Sequence, residues 1–216
     1  GGRGPTVRVG ALPTVAASIM PAAVQRFLEK SDGDGIRIVT GQNMVLLNQL
    51  RVGDLDLVVG RLAAPDQMTA LAFEHLYSER IGLIVRPGHP LLSTAPPDAA
   101  ALSRLDWIAP QTLAPARSMF TAYFSANGAP VPERIIECSS VIAACGLIRR
   151  SDRAALLSPM QIRPFVESGQ VAILVDFLPN TRRSIGVTVR KAYSPTVVQA
   201  AFGDILRQLA RESFDS

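Results

Sequence analysis

The chain has 216 residues, 48% of them hydrophobic and 19% charged, which is enough apolar material for a real core and too little charge for a disordered, solvating chain. Its 22 Lys plus Arg stand against 18 Asp plus Glu, a net +4, but only Arg149, Arg150 and Arg153 and the pair Arg182, Arg183 cluster at all. No basic stripe of the kind that a nucleic-acid groove requires is present.

Two cysteines, Cys138 and Cys145, make neither a disulfide framework nor a metal-ligand spacing, and read as small buried hydrophobes in a reducing compartment. No apolar run reaches the roughly 18 residues of a membrane span. The opening Gly1 to Pro5 is not a signal peptide, so the sequence reads as cytoplasmic, without membrane contact.

Along the chain, Val7 to Gly10 reads as a strand, followed by Leu12, Pro13, Thr14 and a helix carrying Val15, Ile19, Val24, Phe27 and Leu28 at helical spacing. A turn over Ser31 to Gly35 leads to a second strand, Ile36 to Val39, and then to a helix through Leu46, Leu47 and Leu50 that ends at Gly53. Leu55 to Val59 reads as a short buried strand, with Ala70 to Tyr77 and Ile81 to Val85 as two more. Pro87, Gly88, His89 and Pro90 break this pattern, and after a Pro- and Ala-rich stretch it restarts at Trp107. Trp107 to Ala109, Ile135 to Cys138, Ala154 to Leu157, Val171 to Val175 and Ile185 to Val189 read as strands. Met119 to Asn127, Val141 to Ile148, a segment opening at Ser158-Pro159 and Val197 to Leu209 read as helices. This alternation predicts an α/β protein of two modules with mostly parallel sheets and crossover helices.

Hydroxyl and amide side chains recur where a strand ends and a helix begins: Thr14; Thr40 with Gln42 and Asn43; Thr112; Ser139 with Ser140; and Ser158. In open α/β sheets, ligands bind outside the carboxyl ends of the strands, where helix N-termini present free N–H groups. The same residue types are also the preferred N-caps of any helix, which accounts for each of them singly without a ligand. Arg61 and Arg117 fall at comparable positions, where a guanidinium either forks onto a ligand carboxylate or joins an intrachain ion pair.

Signals for catalysis are weak. His75 and His89 have no nucleophile or orienting acid at local spacing, and Gly-x-Ser-x-Gly, His-Glu-x-x-His and P-loop motifs are missing. Asp32-Gly33-Asp34-Gly35 lacks the acidic residue that would complete a calcium loop, because Asn43 occupies that place, so it reads as a turn. Asp54 and Asp56 read as a solvated strand edge or cap. The expectation is a non-enzymatic protein without cofactor or metal.

Several segments together resemble the effector-binding domain of LysR-type transcriptional regulators. They are Val7-Arg8-Val9-Gly10 with Leu12-Pro13; Gly53-Asp54-Leu55-Asp56-Leu57; Glu79 to Val85 running into Gly88-His89-Pro90-Leu91; and Asp106-Trp107-Ile108, Arg117, Glu137 to Ser140 and Ala154 to Ser158. The subgroup is similar to regulators of protocatechuate catabolism and of sugar-binding-protein genes.

The resemblance implies a type 2 periplasmic-binding-protein fold, two Rossmann-like subdomains joined by two crossing strands. Residues 1–85 and 184–216 would form subdomain I and residues 86–183 subdomain II. It further implies an effector held between the subdomains near Thr14, Thr40, Gln42, Asn43, Gly60, Arg61, Thr112, Arg117, Ser139, Ser140 and Ser158. The loop Gln111-Thr112-Leu113 departs from a stretch that is often richer in glycine.

By the same resemblance the domain forms a homodimer or tetramer, and reaches DNA only through an N-terminal winged helix-turn-helix that this chain lacks. The expected effector is an aromatic or dicarboxylic acid, or a monosaccharide. Two other classes share the architecture: a stand-alone solute-binding protein, which would need export, and a lyase-like enzyme, which would need an acid, base or nucleophile in its cleft.

Overall fold

The computed structural model describes residues 5–31, 33–94, 96–112, 114–192 and 194–214. Asp32 of the predicted turn, Leu113 of the second-module loop and the leading glycines lie outside the described residues. In chain order the elements are β1 (Thr6–Ala11), α1 (Pro13–Ala17), α2 (Ile19–Lys30), β2 (Gly35–Thr40), α3 (Asn43–Val52), β3 (Leu57–Arg61), β4 (Leu71–Glu79) and β5 (Gly82–Val85). There follow α4 (Ala99–Ser103), β6 (Trp107–Ala109), α5 (Pro115–Ala126), β7 (Ile135–Glu137), α6 (Val141–Ile148), β8 (Ala154–Leu157), α7 (Pro159–Glu167), β9 (Ala172–Val175), β10 (Arg183–Arg190) and α8 (Val197–Phe214).

The chain divides into two units, Gly1–Glu79 with Arg183–Ser216, and Arg80–Arg182. The sequence-derived boundaries at 85/86 and 183/184 therefore shift. β5, assigned from the sequence to the first subdomain, takes its backbone hydrogen bonds from β8 and β9 and lies in the second.

The first sheet has the order β2-β1-β3-β10-β4 and the second β7-β6-β8-β5-β9. In each, the first three strands are parallel, as the alternation predicts, but β10 pairs antiparallel with β3 and β4, and β5 with β8 and β9. The sheets are thus mixed rather than mostly parallel. The antiparallel neighbours, β10 beside β3 and β4 and β5 beside β8 and β9, are strands far apart in the chain, so none of these pairs is one strand–helix–strand step of the alternation.

The helix predicted from Val15 to Leu28 is two helices, broken at Ser18, whose φ −112° and ψ −92° leave the helical region. Pro21 gives the reason: its ring would collide with the carbonyl four residues back, at Ala17, so the helix stops there and restarts with Pro21 in its first turn. α4 was not foreseen in the Pro- and Ala-rich stretch; it is started by Asp98, whose Oδ1 accepts from Ala101 N at 2.7 Å. Gly53 ends α3 at φ +85°, a left-handed cap that only glycine adopts freely.

Each unit has its own core on both faces of its sheet. In the first, Leu46, Leu47 and Leu50 of α3 pack on Leu55, Val58 and Leu71, while Phe27 meets Phe202 edge-on at 5.6 Å between α2 and α8. In the second, Trp107, Phe120 and Phe124 form an aromatic group, with Ile84, Ile108, Ala144, Ile148, Ala155 and Ile162 on the opposite face.

Asp56 is not the solvated strand edge that the alternation suggested, but a buried anion. It accepts from Arg8 N at 2.7 Å, from Nε at 3.3 Å and from Nη2 at 2.6 Å, which ties the entry of β3 to β1.

Two predictions follow from this packing. At Gly186, where the β4–β10 register shifts, an added Cβ would lie 2.0 Å from the Glu74 carbonyl oxygen and 2.6 Å from the Phe73 ring. Gly186→Ala is expected to lose about 2–3 kcal/mol of unfolding free energy in urea. Burial pushes the Asp56 carboxyl up, but hydrogen bonds from the Arg8 side chain and backbone, with its charge, outweigh this and hold it below the ordinary range. Its contribution is therefore complete above an unfolded pKa of about 3.9 and is lost as pH falls through the lower folded value. Asp56→Asn should cost about 1–3 kcal/mol at pH 7. Unfolding curves from pH 6 to 2.5 should show the gap to the parent chain closing at the acid end.

Candidate functional site

At the carboxyl ends of β1, β2 and β3 the first unit gathers most of its predicted ligand residues. Gly60 and Arg61 close β3, and Asn43 opens α3 opposite them. The Asn43 amide is a bridge: Nδ2 donates to the Arg61 carbonyl at 3.0 Å and Oδ1 accepts from Arg61 N at 3.1 Å. Gly60 is required by that bridge, since a Cβ there would stand 2.6 Å from Asn43 Oδ1. Asn43 and Gly60 thus fix the backbone from which the Arg61 side chain projects. Thr40 and Gln42 lie exposed at the end of β2 and before α3, and Gln42, although at the cap position, makes no side-chain cap.

The half-buried Arg61 guanidinium has no hydrogen-bonding or ion-pair partner among the described residues. Burial lowers its pKa, the charge of Arg183 lowers it further, and Glu79 partly offsets both. Thr14 is buried, and its hydroxyl donates to Glu79 Oε2 at 2.7 Å. On the other oxygen of the same carboxylate, Arg183 Nη2 stands 2.6 Å from Glu79 Oε1, with the two side chains 13% and 1% exposed.

Sequence reading missed both Glu79 and Arg183. The one signal was an acid ending a half-buried strand and an arginine beginning another, paired across the β4–β10 ladder. Tyr77, also on β4, stacks on Phe214 at 4.1 Å, and burial pushes its phenol well above the usual range.

In the second unit three of the five predicted residues, Thr112, Arg117 and Ser140, are hydrogen-bonded within the unit. The Thr112 hydroxyl donates to Glu137 Oε1, and Arg117 Nη1 donates to the same oxygen at 3.3 Å and to the Pro110 carbonyl at 3.2 Å. Arg117 therefore follows the ion-pair alternative. Ser140 caps α6, its Oγ accepting from Ala143 N at 3.3 Å, and Ser158 is buried at the start of α7. Ser139 is exposed beside them.

The histidines hold local structure. Buried His89 accepts from Leu91 N at Nδ1 and places Nε2 3.2 Å from the Asp152 carbonyl, so that network assigns the proton to Nε2. His75 Nδ1 is 2.8 Å from Ser184 Oγ. Among the described residues no group of three His, Cys, Asp or Glu could hold a metal ion, and no helix is long and apolar enough to cross a membrane.

The arrangement offers binding groups: one desolvated cation on a rigid backbone, with exposed amide and hydroxyl groups near the same strand ends. Comparison with known proteins gives it a context. A family model described as the LysR substrate binding domain matches residues 1–211. The chain is 42% identical over 212 residues to the HTH-type transcriptional regulator PcaQ of Agrobacterium fabrum (strain C58 / ATCC 33970), covering 98% of this chain and 68% of that protein. It is 33% identical over 208 residues to the HTH-type transcriptional regulator GalR of Pseudomonas putida, covering 95% of this chain and 52% of that one.

Among solved structures, the effector binding domain of QuiR in complex with shikimate superposes with a TM-score of 0.78 at 17% identity, over 99% of this chain and all of that one. Full-length BenM carrying E226K gives 0.77 at 21% identity, over 99% of this chain and 70% of that one. These likenesses show the fold, the type 2 periplasmic-binding-protein arrangement of two mixed sheets. With the family match spanning both units, the chain belongs to the LysR substrate-binding domains, the effector-sensing part of a family of transcriptional regulators rather than of enzymes.

Proposed function

We propose that this domain senses a small carboxylic acid of aromatic or dicarboxylic type, with Arg61 as its charge contact. The observation that carries this reading is the Arg61 guanidinium itself: half-buried, without a partner among the described residues, and carried on a backbone that the Asn43 amide bridges. A desolvated cation with no counterion is costly, and a ligand carboxylate restores the missing charge through a bidentate contact. Thr40 and Gln42, exposed nearby, supply hydrogen bonds to ring hydroxyls or to a second polar group. A monosaccharide would use those neutral groups and leave Arg61 uncompensated.

In the second unit Thr112, Ser139 and Ser140 are all exposed, but Thr112, Arg117 and Ser140 already hydrogen-bond within the unit, and Ser158 is buried. In the longer protein, effector binding shifts a conformational equilibrium of a homodimer or tetramer and so changes how an N-terminal DNA-binding domain engages its operator in the cytoplasm. The names of PcaQ and GalR as HTH-type regulators support that reading.

Self-association has a candidate surface in the first unit. β2 is an edge strand with an exposed Ile38, and α2 exposes Leu28, so an unpaired strand edge lies in the same unit as an apolar helix position. Such an edge is a template for an isologous pairing.

Two measurements test the proposal. In a thermal-shift and calorimetric screen of aromatic acids, muconate-type diacids and monosaccharides, an acid at a hundred times its dissociation constant should stabilise the domain by about 2.7 kcal/mol. Arg61→Met should weaken that acid by tenfold or more, the value of about 1.5–3 kcal/mol for a charged hydrogen bond. Binding of a sugar alone, or unchanged acid affinity in Arg61→Met, rejects this reading. In sedimentation at micromolar concentration, Leu28→Glu should convert a dimer to a monomer, and a parent chain already monomeric there would remove the α2–β2 interface.

A further inference from the structure

Three charged groups meet at the end of the first sheet, and they are of unequal status. Glu79, whose side chain is 1% exposed, has one oxygen 2.6 Å from Arg183 Nη2 and the other accepting the Thr14 hydroxyl at 2.7 Å. Arg61 has neither of these contacts, yet it feels both charges, the cation of Arg183 and the anion of Glu79. One carboxylate and two guanidinia sum to a single positive charge, and the pairing assigns it to Arg61. Backbone geometry holds the arrangement in place. Glu79 and Arg183 are cross-strand partners in the β4–β10 ladder, and Arg61 faces Ile185 of that same β10 strand.

The geometry points to Glu79 as the residue that sets how much negative charge an effector carries into this end of the sheet. While Glu79 neutralises Arg183, one cation remains, and the matching ligand group is a single carboxylate. This rests on the reading of Arg61 as an effector contact and adds to it a charge count that Arg61 alone does not give. Two consequences have opposite signs. Without the charge at position 79, Arg183 is released beside Arg61 and the pair suits a dianion. Without Arg183, Glu79 becomes the counterion of Arg61 and the site binds anions less well. A purely structural role for Glu79 would alter stability and leave the choice between mono- and dianions unchanged.

The test follows the arginine Nε–Hε signals of the domain by nuclear magnetic resonance, titrating acetate and sulfate at fixed ionic strength. In the parent chain, acetate should shift the Arg61 signal along a saturable curve and leave that of Arg183 in place. In Glu79→Gln, the Arg183 signal should also titrate, and the ratio of sulfate to acetate affinity should rise about tenfold, the 1.4 kcal/mol expected at least from one added charged contact. Arg183→Met, which removes a cation rather than leaving one uncompensated, gives an independent arm should Glu79→Gln not fold. In it, acetate affinity at Arg61 should fall about tenfold.

An unchanged sulfate-to-acetate ratio in Glu79→Gln, or parent-like acetate binding in Arg183→Met, overturns the role of Glu79 while leaving Arg61 as an anion contact. An Arg61 signal that responds to neither anion in the parent chain overturns the anionic-effector reading itself, and the charge count with it.

Discussion

A chain that leaves a sheet and returns to it much later has to be held in register by something stronger than a loop. The first unit is left after Glu79 and rejoined at Arg183, and these two residues face each other at the start of the β4–β10 ladder. A buried carboxylate without a counterion would be driven to protonate or to swell the fold open, so Glu79 requires Arg183, and the ladder keeps the two within reach. The register set by this pair runs as far as Ile185 and shifts at Gly186: Ile185 and Val187 turn into the core, and Gly186 passes against the Glu74 carbonyl where a side chain would not fit. Because β10 also pairs with β3, the same register extends to Arg61.

The position of Arg61 is then a product of three constraints with different physical origins. Backbone hydrogen bonds place the end of β3, the Asn43 amide clamps its last peptide, and the absence of a side chain at Gly60 lets that clamp close. None of these touches the guanidinium. The backbone is held where it needs to be, and the charged head has no hydrogen-bonding or ion-pair partner among the described residues, which is the division of labour expected of a binding residue supported by its scaffold. The second unit shows the contrary case at Arg117, whose head is tied to Glu137 and to the Pro110 carbonyl before any ligand arrives.

What the sequence revealed and what it hid divide along the range of the interactions involved. Local signals were readable. The apolar spacing of Leu46, Leu47 and Leu50 marks the buried face of α3, Gly53 marks its end, and hydroxyl or amide residues mark the strand ends. The break at Ser18 was also written locally, in Pro21, but the apolar positions on both sides continue at helical spacing and mask it. Interactions between distant residues left no such trace. Asp56 looked solvated because its alternation is that of a strand edge, whereas its partner Arg8 lies on β1 and is 48 residues away. Thr14 was legible as a strand-end hydroxyl, but not its hydrogen bond to Glu79, 65 residues on. Strand direction was hidden for a related reason: alternation of strands and helices implies parallel neighbours, and says nothing of strands that pair across long stretches of chain, as β10 does with β3 and β4.

Most arginines near an acid in this protein are paired with one: Arg8 with Asp56, Arg86 with Asp152, Arg134 with Asp106, Arg207 with Glu74. Apart from buried Asp56, whose partner Arg8 is itself part-exposed, those pairs lie partly in solvent, where a missing partner would be replaced by water at little cost. Arg61 is in the opposite situation, more withdrawn from water and facing a second cation. Selection for stability alone would place a carboxylate against it or exchange it for a neutral side chain, and the nearest acid, Glu79, is instead directed to Arg183. On the proposed reading, an anion at Arg61 supplies the compensation that the protein's own carboxylates do not. That is the differential affinity a sensor requires, because a ligand can shift an equilibrium only by as much as it binds one state better than the other.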